Sequence, residues 1–238
     1  MDDRLTSYEL DGSVATIAID DGKVNAFSIA MLRSLHAALD RAEDDGAIVV
    51  LAGRDGCFSA GFDLKTFGEG AVPVIEMLTL GARLCERLLS FPTPVVVACP
   101  GHAVAAGAFT LLGADVRIGV DGPFQIGLNE VRIGLTMPWF VIVLARARLH
   151  PAQFDAAVIR ARMYTPAEAI DAGFLDRVVA PAELRAASVE TATALAQLDM
   201  RAYRETKLRV RGETLDRLRA AIDEEMTPAA LGGAQAPA

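Results

Sequence analysis

Apolar positions along the chain follow two periods, and the alternation between them predicts the architecture. Residues 14–19 alternate small and β-branched side chains, while residues 48–51 and 95–98 are continuous apolar runs, as in core strands covered on both faces. Between the first two, Ser28 stands where a helix cap would, and Met31, Leu32, Leu35 and Leu39 follow at helical spacing. The order is β-α-β, with the crossover length that a parallel sheet requires. Residues 72–89 again repeat at helical spacing until Pro92 stops them, and residues 115–118 and 124–126 read as short strands after the next helix. From Pro138 onward the pattern is almost wholly helical. Thr165-Pro166-Ala167-Glu168 is a capping-box start with Gly173 as its stop, and residues 200–220 carry basic side chains at helical spacing. No internal repeat interrupts this order. The prediction is an α/β core over residues 1–180, a helical region over 181–226 and an Ala/Gly/Pro tail over 227–238 that should fray.

Composition narrows the function classes. With 52% hydrophobic content in 238 residues, the chain can bury a large core. A formal net charge of −8 argues against a nucleic-acid partner, so an anionic ligand must be met by local cations or helix N-termini. Residues 88–114 carry no formal charge and are long enough to span a bilayer. Pro92, Pro94, Pro100, Gly101, Gly107 and Gly113 divide that run into strand, turn and helix, which predicts a buried segment and no membrane association. Cys57, Cys85 and Cys99 are odd in number, form no C-x-x-C pair and lie in apolar runs, the pattern of reduced, buried thiols in a cytoplasmic protein. The acidic start Met1-Asp2-Asp3-Arg4 is unlike a secretory signal.

Three segments carry candidate chemistry. Phe58-Ser59-Ala60-Gly61-Phe62-Asp63-Leu64-Lys65 and Pro100-Gly101-His102-Ala103-Val104-Ala105-Ala106-Gly107 are small-residue turns after predicted strands. Such turns let backbone approach a ligand, and the second opens a helix whose free N–H groups favour negative charge. Two N–H groups facing one point would form an oxyanion hole; tight strand–helix packing is the alternative. The third segment, Ile126-Gly127-Leu128-Asn129-Glu130-Val131-Arg132-Ile133-Gly134, has one acidic residue. Glu130 is either a desolvated proton acceptor or a surface carboxylate paired with Arg132. Asp63 suits a turn cap, and His102 has no evident catalytic partner.

Taken together, these segments resemble the crotonase (enoyl-CoA hydratase/isomerase) superfamily. F-S-A-G-F-D-L-K is similar to its F-x-A-G-x-D-[LI]-x turn, P-G-H-A-V-A-A-G to its N-G-x-x-x-G-G-G turn, and L-L-G-A-D-V-R-I to the helix end and strand that follow. The similarity runs over residues 8–219 in the family's order and spacing. It implies a crotonase-like β-β-α spiral with a helical C-terminal trimerisation region, hence a homotrimer or hexamer, and an acyl-CoA thioester as substrate with no metal or redox cofactor.

Carried over position by position, the resemblance makes the backbone N–H groups of Phe62 and Ala106 the oxyanion donors and Glu130 the catalytic base. The family's hydratases hold the attacking water with two glutamates, and the first of those positions is Phe109 here. A lone carboxylate suits a proton shuttle between C2 and C4 of a 3-enoyl-CoA, and G-L-N-E is closer to the family's mitochondrial Δ3,Δ2-enoyl-CoA isomerases. Isomerisation is therefore the expected reaction, with 2-enoyl-CoA hydration and a catalytically quiet acyl-CoA-binding protein as the alternatives. Ala60, Phe109, Trp139 and Phe140 are expected to line the substrate pocket, and Lys65 and Lys207 to meet CoA phosphates.

Overall fold

The computed structural model describes residues 5–227, so the acidic start and the tail beyond Thr227 lie outside the described residues. A hairpin of β1 (Thr6–Asp11) and β2 (Val14–Ile19) leads into α1 (Ile29–Asp44). Three β-β-α turns follow: β3 (Ile48–Ala52), β4 (Gly56–Ser59) and α2 (Ala71–Ser90); β5 (Val95–Cys99), β6 (Gly101–Val104) and α3 (Ala106–Gly113); β7 (Val116–Val120), β8 (Ile126–Gly127) and α4 (Trp139–Arg148). The chain continues through α5 (Pro151–Val158), α6 (Pro166–Ala172), β9 (Arg177–Val179), α7 (Leu184–Leu195) and α8 (Met200–Glu225). The first strand of each turn enters a six-stranded sheet ordered β1-β2-β3-β5-β7-β9, and the second enters a three-stranded parallel sheet ordered β4-β6-β8. This is a β-β-α spiral, and its smaller sheet carries the candidate chemistry.

Burial on both faces explains the continuous apolar strands. Val49, Leu51, Val95 and Val97 face the main core, whereas Ile48, Val50, Val96 and Ala98 face a second cluster closed by Leu184 and Ala192 of α7. Helix α1 begins where Ser28 Oγ accepts from the Met31 N–H, and it buries Met31, Leu32, Leu35, Ala38, Leu39 and Ala42 along one stripe. Each large apolar side chain so placed stabilises by roughly 1.5–3 kcal/mol. The Thr165–Glu168 capping box and the left-handed Gly173 stop of α6 occur as expected.

Besides β1, which the sequence reading left unassigned, three short strands depart from it. Gly101–Val104, expected within a turn, is β6; β4 precedes the other turn; and β9 interrupts the region expected to be helical. Each has three or four residues, too few for a period, and is set by its partner: β6 lies between β4 and β8, and β9 pairs with β7. The uncharged run 88–114 resolves into the end of α2, β5, β6 and α3, and no helix among the described residues is long and apolar enough to cross a membrane. All three cysteines are free; Cys85 and Cys99 are buried, which pushes both thiols up to about 12, while Cys57, expected to be buried, is only half-buried.

Helix α8 is held to the spiral by charge as well as packing. Asp115 accepts from Lys207 Nζ and Arg211 Nη1, both at 2.8 Å, and from the Val95 N–H at 2.7 Å. Its side chain is 11% exposed and that of Lys207 4%. Removing one member of such a pair leaves the others buried and unmatched. Asp115→Asn is therefore expected to destabilise the fold by about 3–5 kcal/mol in urea unfolding. A loss below about 1 kcal/mol would mean that the pairing behaves as an exposed ion pair.

Candidate active site

The two small-residue turns meet. Gly61 has φ +104°, and a methyl placed on it would lie 3.0 Å from Ala105 Cβ and 3.5 Å from Ala106 N, so the Gly61–Phe62 peptide and the Ala106 amide are neighbours. Glycine is required twice in this contact. At Gly61 the backbone is in a region that favours it, and at Gly107 a methyl would sit 2.4 Å from the Ser59 carbonyl oxygen. On one side of Phe62, the Gly61 carbonyl accepts from the Phe27 N–H, and on the other the Asp63 N–H donates to the Phe27 carbonyl. Among the described residues the Phe62 N–H has no carbonyl partner. Ala106 opens α3, so its N–H has no acceptor one turn back. Two free amides at one place can hold a carbonyl oxygen as it gains charge.

A loop that the sequence reading passed over supports the first turn. Asn25, fully buried with φ +52°, donates from Nδ2 to the carbonyls of Ile19 and Phe58. Asp21 accepts from the Lys23, Asn25 and Ala26 N–H groups, and Ser59 Oγ donates to the Asn25 carbonyl. The available signal was the Asp20-Asp21-Gly22-Lys23-Val24-Asn25 string, which is rich in turn formers. Asp63 behaves as a turn cap, accepting from the Lys65 N–H at 3.1 Å. His102 is packed, with Nδ1 accepting from the Gln125 N–H and its ring edge-on to Phe124.

Glu130 follows β8 and begins a short 3-10 turn over Val131–Ile133. It is 6% exposed, and its Oε2 has no partner among the described residues. The alternative pairing with Arg132 is absent, since that guanidinium turns outward and donates to the Ala161 carbonyl. Burial raises the Glu130 pKa from 4.5 to about 7, against a small opposing contribution from its own N–H. Such a carboxylate can both accept and return a proton near neutrality.

An aromatic row stands beside these turns. Phe109, 1% exposed in α3, lies 5.8 Å from the Phe62 ring and 5.4 Å, edge to face, from Phe140. Phe62 rests on Gly81 of α2, where a methyl would come within 2.5 Å of its ring. Trp139 does not join the row, contrary to expectation: successive helical residues diverge by about 100°. It is 64% exposed and lines a separate groove of about 590 Å³ with Val143, Ala220, Ala221 and Glu225. Ala60 and Lys65 are exposed at the first turn. Lys207 is not the phosphate-binding cation expected from the sequence. Its ammonium is buried against Asp115, which leaves it paired and unable to meet a phosphate from solvent.

The family model for enoyl-CoA hydratase/isomerase matches residues 9–229. The chain belongs to this family. A solved enoyl-CoA hydratase/isomerase family protein from Pseudomonas syringae is 50% identical, with a TM-score of 0.92 and coverage of 94% of this chain and 97% of that one. A putative enoyl-CoA hydratase from Thermus thermophilus is 33% identical over 78% of this chain and 74% of its own length. The mitochondrial enoyl-CoA delta isomerase 1 of Homo sapiens is 28% identical over 90% of this chain and 72% of its own. Relatives named for either reaction thus match this chain in sequence, and the spiral is the crotonase fold.

The raised Glu130 pKa has two consequences of defined sign. Below pH 4.5 the group is neutral whether folded or unfolded; between 4.5 and about 7 only the unfolded chain loses the proton, so stability falls as pH rises. Above about 7 the cost is complete, on the order of 3 kcal/mol. Glu130→Gln is expected to raise stability at pH 8 relative to wild type and to leave it unchanged near pH 4. Wild-type kcat/KM should rise with pH through about 7. A rise centred near the ordinary carboxylate value would place Glu130 in water.

Proposed function

We propose that the protein shifts the double bond of a 3-enoyl-CoA to the 2-position. Glu130 removes a proton from C2, the negative charge moves onto the thioester oxygen, and the N–H groups of Phe62 and Ala106 stabilise that enolate. The same carboxylic acid then delivers the proton to C4 as the double bond forms between C2 and C3. One base within reach of both carbons suffices, and no water is consumed. Metal and redox groups have no step to perform in this scheme. Lys65, the exposed cation of the first turn, is the group on this chain suited to CoA phosphate.

The observation that carries the reading is one buried carboxylate, its Oε2 without a partner among the described residues, in a site where position 109 is an apolar ring. Hydration of 2-enoyl-CoA needs a water held over C3 by acceptors on two sides. The Phe62-Phe109-Phe140 row supplies none. The likeness to the human isomerase supports the same choice, whereas a quiet binder would have no use for a destabilising carboxylate at position 130.

A panel of 2-enoyl-, 3-enoyl- and saturated acyl-CoAs, assayed for turnover and binding, tests the proposal. Wild type is expected to isomerise 3-enoyl-CoA well above any hydration of 2-enoyl-CoA, and Glu130→Gln to lose at least ~10²–10⁴ in rate while binding saturated acyl-CoA nearly as before. Phe109→Glu should raise hydration detectably. Efficient hydration of 2-enoyl-CoA by wild type, with 3-enoyl-CoA untouched, would overturn the isomerase reading.

A homotrimer, or a pair of them, in the cytoplasm completes the proposal. Leu198 and Val210, 49% and 77% exposed, flank a groove of about 560 Å³ along α8, an apolar strip suited to a second copy. Sedimentation should give a multiple of three chains, and a concentration-independent monomer would exclude this assembly.

A further inference from the structure

The side chain of Phe62 has a task separate from that of its amide. The tip of its ring enters a notch in α2 that only glycine leaves open, since a methyl on Gly81 would lie 2.5 Å from Cε1 and Cζ. Gly81 is buried within a 20-residue helix, where glycine weakens the helix, so what it contributes is that space. The Phe62 ring also stands 5.8 Å from that of Phe109, which Phe140 backs edge to face. Three helices thus meet in one aromatic wall: α2 seats Phe62, α3 carries Phe109 and α4 braces it through Phe140. Phe109 and Phe140 are fully buried, whereas Phe62 keeps part of its surface open to a ligand. An acyl group whose thioester oxygen is held by the Phe62 amide begins within one residue's reach of this wall.

We propose that the rings of Phe62 and Phe109, backed by Gly81 of α2 and Phe140 of α4, close the acyl pocket a few carbons beyond the thioester, so that the protein takes short acyl chains and rejects long ones. The inference deepens the reading given above and rests on the Phe62 amide holding the thioester oxygen. Where a pocket stays open, each further methylene buried adds affinity. Where it is closed by packed rings, each further methylene has to displace them, and the trend reverses. The sign of the chain-length series therefore separates a closed pocket from an open one.

Calorimetric titration of the full-length protein with butanoyl-CoA and decanoyl-CoA tests this. Wild type is expected to bind decanoyl-CoA at least about tenfold more weakly than butanoyl-CoA. Phe62→Leu, which shortens the wall, should narrow or reverse that ratio. Gly81→Ala, which forces the Phe62 ring out of its notch, should widen it. Both readouts are ratios within one preparation, so a loss of folded protein in either variant leaves them intact. Failure of the isomerase reading shows in the turnover of 3-enoyl-CoA, whereas this inference is read from the binding of saturated chains alone. Wild type that binds decanoyl-CoA as tightly as butanoyl-CoA would overturn the inference, as would a ratio that either substitution leaves unmoved or shifts in the other direction.

Discussion

The parallel pairing of β4, β6 and β8 is the constraint on which the site depends. Each of these strands is short and would not persist alone. Joined, they bring three chain ends to one place: the Gly61–Phe62 turn after β4, the Ala105–Ala106 turn after β6 and the Asn129–Glu130 turn after β8. The spacing of groups that are 24 or more residues apart in sequence thus reduces to the fixed distance between neighbouring strands. The large sheet, with its two apolar clusters, holds that smaller sheet in position.

Two kinds of group share the work at this edge. The amides of Phe62 and Ala106 belong to the backbone, so their placement follows from turns and a helix start, and the side chains at those positions are free to serve packing. Glu130 and Phe109 contribute side chains, one a buried carboxylate whose Oε2 has no partner among the described residues and the other an apolar ring packed between Phe62 and Phe140. Family membership rests on the match over residues 9–229, whereas the reaction within the family is a property of the site.

What was legible in the sequence was whatever local chemistry determines. The Ser28 cap, the Thr165–Glu168 box and the apolar stripe of α1 all follow from nearby residues, whereas the neighbours of Glu130 left a buried base and a surface ion pair equally open. What escaped depends on distant partners. Strands β4, β6 and β9 are too short to show a period and exist because a neighbour completes them. Lys207 reads as a surface cation until Asp115, 92 residues earlier, is seen to bury it.

The junction at Asp115 also bears on the order in which the chain can fold. Its carboxylate is placed by β5, through the Val95 N–H, long before Lys207 and Arg211 exist on a chain growing from its N-terminus. Until then Arg148 of α4 supplies the opposing charge in the field of this carboxylate, and the end of the sheet beneath lacks its cover. The arrival of α8 both neutralises the carboxylate and closes the face above it. In a protein made vectorially, completion of the core and completion of this helix are thereby a single event.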